Sequence, residues 1–233
     1  SDDQRLLRLV QRHAIPVGDI AASLVPVAAL FGVSPQSTSS GMVRVADRAD
    51  ASICLGAPLP GQRERPTELV TAPIAADHHE TLRRLLDIAS RNGFVVAHEA
   101  AVHVHCDGTH LRNPLALQRL VRLWLMLSAQ VRARVATNPA CMRLGEWSAS
   151  FVTAALSTEA ETSTWSDYQR SLRATELSKY CDLNVSNLVF DIADKPTVEF
   201  RVFPGSMAPR RIVAFGHIAA AICRAAVSDT QVR

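Results

Sequence analysis

Apolar residues recur along this 233-residue chain in two rhythms. In long stretches they return every three or four positions, as on an amphipathic helix. In short ones they alternate with polar residues, as on a strand with one buried face. The first rhythm predicts helices at 2–13, at 17–31 beyond Pro16, and at 77–92, where Asp77 and Glu80 have capping-box spacing. Leu82, Leu85, Leu86 and Ile88 are the expected buried stripe of that helix, and Gly93 ends it. Further helices are predicted at 114–136, 148–156, 168–179 and 209–227, the first with Leu115, Leu117, Leu120, Val121, Leu123, Trp124 and Leu127 inside. The second rhythm predicts strands at 42–45, 52–55, 67–72, 101–107 and 197–203, and a strand entering a turn over 180–192. Residues 34–41 and 58–66 are turn-rich loops, and the polar run 157–167 reads as a flexible insert or lid. Strands punctuated by long helices predict an α+β protein. Its sheet is expected to be antiparallel or mixed, with helices on one face and the other face free for a site.

Two strands carry unusual chemistry. In AVHVHCD, from Ala101 to Asp107, Val102 and Val104 point one way and His103 and His105 the other. Imidazoles at that spacing lie about 6–7 Å apart, within reach of one metal ion or one anionic group. In TVEFRVF, from Thr197 to Phe203, Val198, Phe200 and Val202 share one face, and Glu199 and Arg201 lie on the other. A charge on a largely buried strand is costly unless it is paired or holds a ligand. Two half-exposed histidines, and a surface Glu199–Arg201 pair, are the plainer readings of each strand taken alone. Together the strands supply imidazole, carboxylate and guanidinium, a set suited to a metal-bound nucleotide. Glu68, on the strand TELVTA, reads by itself as an exposed edge glutamate.

Composition narrows the partners. The length suits one large domain or two small ones, with a single domain over 1–233 expected, and a net charge of +3 from scattered arginines argues against a nucleic-acid surface. No run of 18 apolar residues or signal-peptide pattern is present, so the expectation is a cytoplasmic protein without a membrane partner. Five widely spaced cysteines without a CxxC pair indicate free thiols rather than a disulfide framework or zinc knuckle.

The order ELVTAP, helix, AVHVHCD, long helix, KYCDLN, TVEFRVFPGS resembles the amidoligase family of ATP-dependent carboxylate–amine ligases. AVHVHCD is similar to its Gly-Leu-His-Val-His strand, with Ala101 and Val102 in place of the usual first pair, and TVEFRVFPGS to its Thr-Ile-Glu-Phe-Arg strand. The likeness runs from about Gly41 through residue 227, with 1–40 poorly matched. It implies a fold related to glutamine synthetase and glutamate–cysteine ligase, with a funnel-shaped site on the open face of a curved sheet. It also implies ATP and magnesium as cofactors, and small-molecule or peptide carboxylates and amines as substrates. By the same resemblance Glu68, His103 and Glu199 are metal ligands and Arg201 steadies the transferred phosphoryl group. His105, Asn184 and Tyr180 line the nucleotide or substrate pocket, and Arg143 grips a carboxylate or phosphate. The family opens on a Gly-x-Glu-x-Glu strand, and nothing before Gly41 resembles it. That departure keeps two alternatives in view, a domain that binds a ligand or protein without turnover and a truncated chain. A metal-dependent hydrolase built on His103, His105 and Glu199 is a further reading.

Overall fold

The computed structural model describes residues 19–38, 42–50, 52–56, 69–91, 95–96, 98–141, 143–192 and 195–228. The predicted helix at 2–13, the loop 58–66 and Glu68 lie outside them. The chain divides into two compact units, Ser1–Ala101 with Gly205–Val213, and Val102–Pro204 with Ala214–Arg233.

The first unit contains α1 (Ile20–Leu30), β1 (Gln36–Ser37), β2 (Val43–Ala46), β3 (Ser52–Gly56) and α2 (His78–Arg91). Asp19 caps α1 by accepting from the Ala21 N–H at 3.0 Å. The three strands form an antiparallel sheet in the order β1-β2-β3. Leu24, Val27 and Ala28 of α1 pack with Val43, Val45, Ile53 and Cys54 to make its core. Part of the loop expected over 34–41 is thus a short strand, because Gln36 and Ser37 find partners in Arg44 and Val43. Of the strand expected at 67–72, the described residues 69–72 form only an isolated bridge, between Leu69 and Cys54. Helix α2 matches its rhythm, but its buried residues are Leu86 and Ala89, and Ile88 is 37% exposed. Asp77 stands before it with φ of 51°, and Glu80 turns to Arg83 at 2.8 Å instead of closing a capping box.

The second unit holds most of the strand β4 (Ala101–Asp107), then α3 (Pro114–Val135), α4 (Ala149–Ala155), α5 (Trp165–Arg173), β5 (Leu183–Asn184), α6 (Ser186–Val189) and β6 (Thr197–Pro204). The last helix, α7 (Pro209–Val227), contributes to it from Ala214 onward. The sheet order is β4-β6-β5, with β5 and β6 antiparallel. The expectation of one curved sheet therefore gives way, among the described residues, to two small sheets, while the α+β class stands. Gly108 lets the chain turn tightly after β4: a Cβ there would come within 2.8 Å of a Leu188 methyl and 3.0 Å of the Pro196 carbonyl.

Helix α3 begins at Pro114 behind the Asn113 cap and stops at Ala136, whose φ is 54°. Leu117, Leu120, Val121 and Trp124 are buried as the spacing predicts, whereas Leu115 and Leu127 are exposed. The run 157–167 is not a free lid. A 3₁₀ turn at Thr158–Glu161 buries Ala160, Gln118 donates to the Ser157 carbonyl at 3.0 Å, and Tyr168 donates to the Ala155 carbonyl at 2.8 Å. The strand expected over 180–192 is only two residues long. The Asn184 side chain ends it by accepting from both the N–H (2.9 Å) and the hydroxyl (2.6 Å) of Ser186, which starts α6.

Candidate functional site

The register of β5 on β6 sets Asn184 opposite Glu199. One step along, the Arg201 N–H donates to the Asp182 carbonyl at 2.8 Å. Glu199 is the hub. Its Oε1 accepts from Arg201 Nη1 at 2.9 Å and lies 3.0 Å from His103 Nδ1, and its Oε2 accepts from Asn184 Nδ2 at 2.8 Å. His105 Nε2 stands 3.7 Å from the same Oε1, and His105 Nδ1 lies 3.4 Å from the Thr197 hydroxyl. Thr197 is in turn fixed by Asn187, whose Nδ2 donates to it at 3.0 Å. His103 and Glu199 are thus hydrogen-bonded across neighbouring strands, and the two imidazoles share a face as the alternation predicted.

The expected open face is closed around the charges: Glu199 and Arg201 are only 7% and 6% exposed. The His105 side chain, 48% exposed, forms the rim of the network. Burial is the largest influence on the Glu199 carboxyl and would raise its pKa. The His103 hydrogen bond and charge, the Asn184 amide and the Arg201 guanidinium together outweigh burial and hold it down at about 2. The hub is therefore an anion at every physiological pH, presented among fixed donors.

A second cluster sits just upstream of Asn184. The Tyr180 ring carries the Arg143 guanidinium 5.6 Å from its centroid and the Lys179 ammonium at 5.3 Å. The loop that bears Arg143 is locked to the strand by Asp182. Its N–H donates to the Gly145 carbonyl at 2.8 Å, and its carboxylate accepts from the Gly145 N–H at 3.0 Å and from Arg132 Nη1 at 2.5 Å.

A family model described as "putative amidoligase enzyme" matches residues 27–223. The chain belongs to this amidoligase family. No curated protein and no solved structure gives a significant match. The family's description supports a ligase at the coarse level, and the match spans the whole Glu199 network. No described helix is long and apolar enough to cross a membrane.

Of the residues the amidoligase resemblance pointed to, His103, His105, Asn184, Glu199 and Arg201 converge on one network, and Arg143 joins Tyr180. Glu68 lies outside the described residues. Among those residues no group of three or more His, Cys, Asp or Glu side chains is placed to hold a metal ion. Glu199 and His103 fit magnesium only in part, as one carboxylate and one imidazole that need a further carboxylate.

Sequence reasoning missed Asp182, Ser186, Asn187 and Lys179 as parts of these clusters. Lys179 and Asp182 stand inside the quoted KYCDLN motif, and an aspartate in so apolar a strand was a usable signal. Ser186 and Asn187 act through a turn that alternation does not reveal.

Proposed function

We propose that the chain joins a carboxylate to an amine through an acyl phosphate formed at the expense of ATP. The observation that carries this reading is the Glu199–Arg201 pair, a buried guanidinium fixed on one side by a carboxylate of depressed pKa. In this scheme a substrate carboxylate oxygen attacks the γ-phosphorus and ADP leaves. The amine nitrogen then attacks the acyl carbon and gives up a proton to the departing inorganic phosphate, and the amide remains. Arg201 binds the transferring phosphoryl oxygens, and its fork, held by Glu199, needs little reorganisation as charge develops. Asn184, itself fixed by Ser186, keeps the Glu199 carboxylate in one orientation. His105 offers the rim imidazole nearest to an incoming group.

Magnesium, when bound, would neutralise phosphate charge, with Glu199 and His103 as protein ligands. Substrates are small-molecule or peptide carboxylates and amines.

A second reading, an amidoligase-like domain that binds without turnover, is favoured by one observation. Glu199 is already satisfied by three neighbours, so the network also stands as a structural element.

The deciding experiment supplies ATP, magnesium, amines and carboxylates labelled with ¹⁸O in the carboxyl group. Label in the released phosphate establishes acyl-phosphate chemistry. ADP formation without label transfer overturns the acyl-phosphate step, and no ADP with any pair overturns the ligase reading in favour of the binding domain.

A further inference from the structure

We propose that Cys106 and Cys223 are a reversible dithiol–disulfide pair, a redox modification site that ties the histidine strand β4 to the last helix α7. The proposal stands independently of the ligase reading. Its first support is juxtaposition. Cys106 lies on the apolar face of β4 with Val102 and Val104, opposite to His103 and His105. Cys223 belongs to the buried stripe of α7 with Phe215, Ala219, Ile222 and Ala226. Both cysteines pack in the same apolar cluster, and their side chains are hydrogen-bonded to each other, the Cys223 S–H donating to the Cys106 sulfur.

The second support is a contrast with the other buried thiols. Cys54 and Cys181 are cysteines used for packing. Burial pushes both thiols up to about 12, and the Cys181 S–H meets the Ser178 and Leu183 carbonyls at 3.3 and 3.2 Å. Cys106 is only partly buried, and the group facing it is a second thiol. The Cys223 hydrogen bond, opposed by burial and helped by the Arg224 guanidinium, holds the Cys106 thiol below its usual range. The same hydrogen bond, together with burial, raises Cys223. An accessible sulfur with a resolving thiol behind it is the arrangement that disulfide exchange needs.

The oxidant is a small disulfide, such as oxidised glutathione. The Cys106 thiolate attacks one of its sulfurs, the S–S bond breaks, and one glutathione thiolate leaves and takes up the proton that Cys106 released. The Cys223 sulfur then attacks the Cys106 sulfur of the mixed disulfide. That bond breaks, and the second departing glutathione thiolate takes the Cys223 proton. Two electrons pass from the two protein thiols to the oxidant, which leaves as two thiols. The new bond joins segments far apart in sequence and fastens β4 one residue beyond His105.

The test incubates the full chain with oxidised glutathione, blocks the remaining thiols with iodoacetamide and maps the non-reduced peptides by mass spectrometry. The expected result is a Cys106–Cys223 cross-link as the main product, lost again in dithiothreitol. The cross-linked chain should melt about 5 °C or more above the reduced one, because the bond constrains the unfolded chain. Cys223→Ser should instead accumulate glutathione on Cys106, and Cys106→Ser should slow the loss of thiols about tenfold or more. Cys141→Ser should behave as wild type. The wild-type peptide map decides the matter even where a substitution prevents folding. A glutathione adduct that persists on wild-type Cys106, a cross-link through any other cysteine, or no reaction at all overturns the proposal. So does a melting temperature that is unchanged or lowered by the cross-link.

Discussion

The two faces of β6 are almost equally hidden from water, yet they are hidden by opposite means. On one face Val198, Phe200 and Val202 are fully buried, and Phe200 meets Trp124 edge to face with ring centroids 5.5 Å apart. Shape and apolar area hold that side together. On the other face Glu199 and Arg201 pair with each other, and His103 and Asn184 complete the set of donors around the Glu199 carboxylate. Apolar side chains of similar volume would serve folding as well or better there, because desolvation of an ion pair consumes much of its Coulomb gain. The first face maintains the strand. The second uses stability to hold a guanidinium in one orientation, which is what the proposed phosphoryl transfer would require of it.

The strongest way to separate the faces is Arg201→Lys, which keeps the charge but removes the fork. Turnover should fall about 10³-fold, within the range for an arginine acting on a transferring phosphoryl group. A thermal melt should stay close to wild type. Activity within a few-fold of wild type would contradict the phosphate role. Next in size is Phe200→Ala on the opposite face, expected to cost about 3–5 kcal/mol in denaturant unfolding. The folded fraction should bind nucleotide as wild type does; a change in affinity would mean that the faces are not independent.

Glu199→Gln tests the hub. Its amide offers one acceptor and a donor that opposes Arg201 and His103, so a loss of about 2 kcal/mol is expected with a weakened nucleotide response. Smallest is the effect of pH on the apolar side. Burial pushes the Cys181 thiol up to about 12 from its usual 9.0, so the folded state holds the proton more tightly. Its contribution is fully present below pH 9 and is lost as pH rises towards 12. Cys54 behaves likewise, so Cys181→Ala should lessen but not abolish the alkaline loss of stability measured by urea titration.

Alternation of side chains on β4 and β6 was legible because a strand's period is two whatever surrounds it. It placed His103, His105, Glu199 and Arg201 on interacting faces, and helix rhythm placed α3 and α7 within a residue or two. Two things lay beyond that logic. The first was register: nothing in KYCDLN alone says that Asn184 falls opposite Glu199, since pairing is decided between distant segments. The second was burial. Leu115, Leu127 and Ile88 fit the apolar rhythm yet face solvent, and the run 157–167 is polar yet packed around Ala160. Such outcomes depend on which neighbour arrives, a tertiary fact.

On the proposed ligase reading, the charged face of β6 binds the phosphates of ATP. The decisive measurement is calorimetric titration of ATP with magnesium into wild type, Glu199→Gln and Phe200→Leu. Binding is expected in wild type and in Phe200→Leu, and should weaken about tenfold or more in Glu199→Gln. Equal affinity in all three proteins, or no binding in wild type, would contradict it.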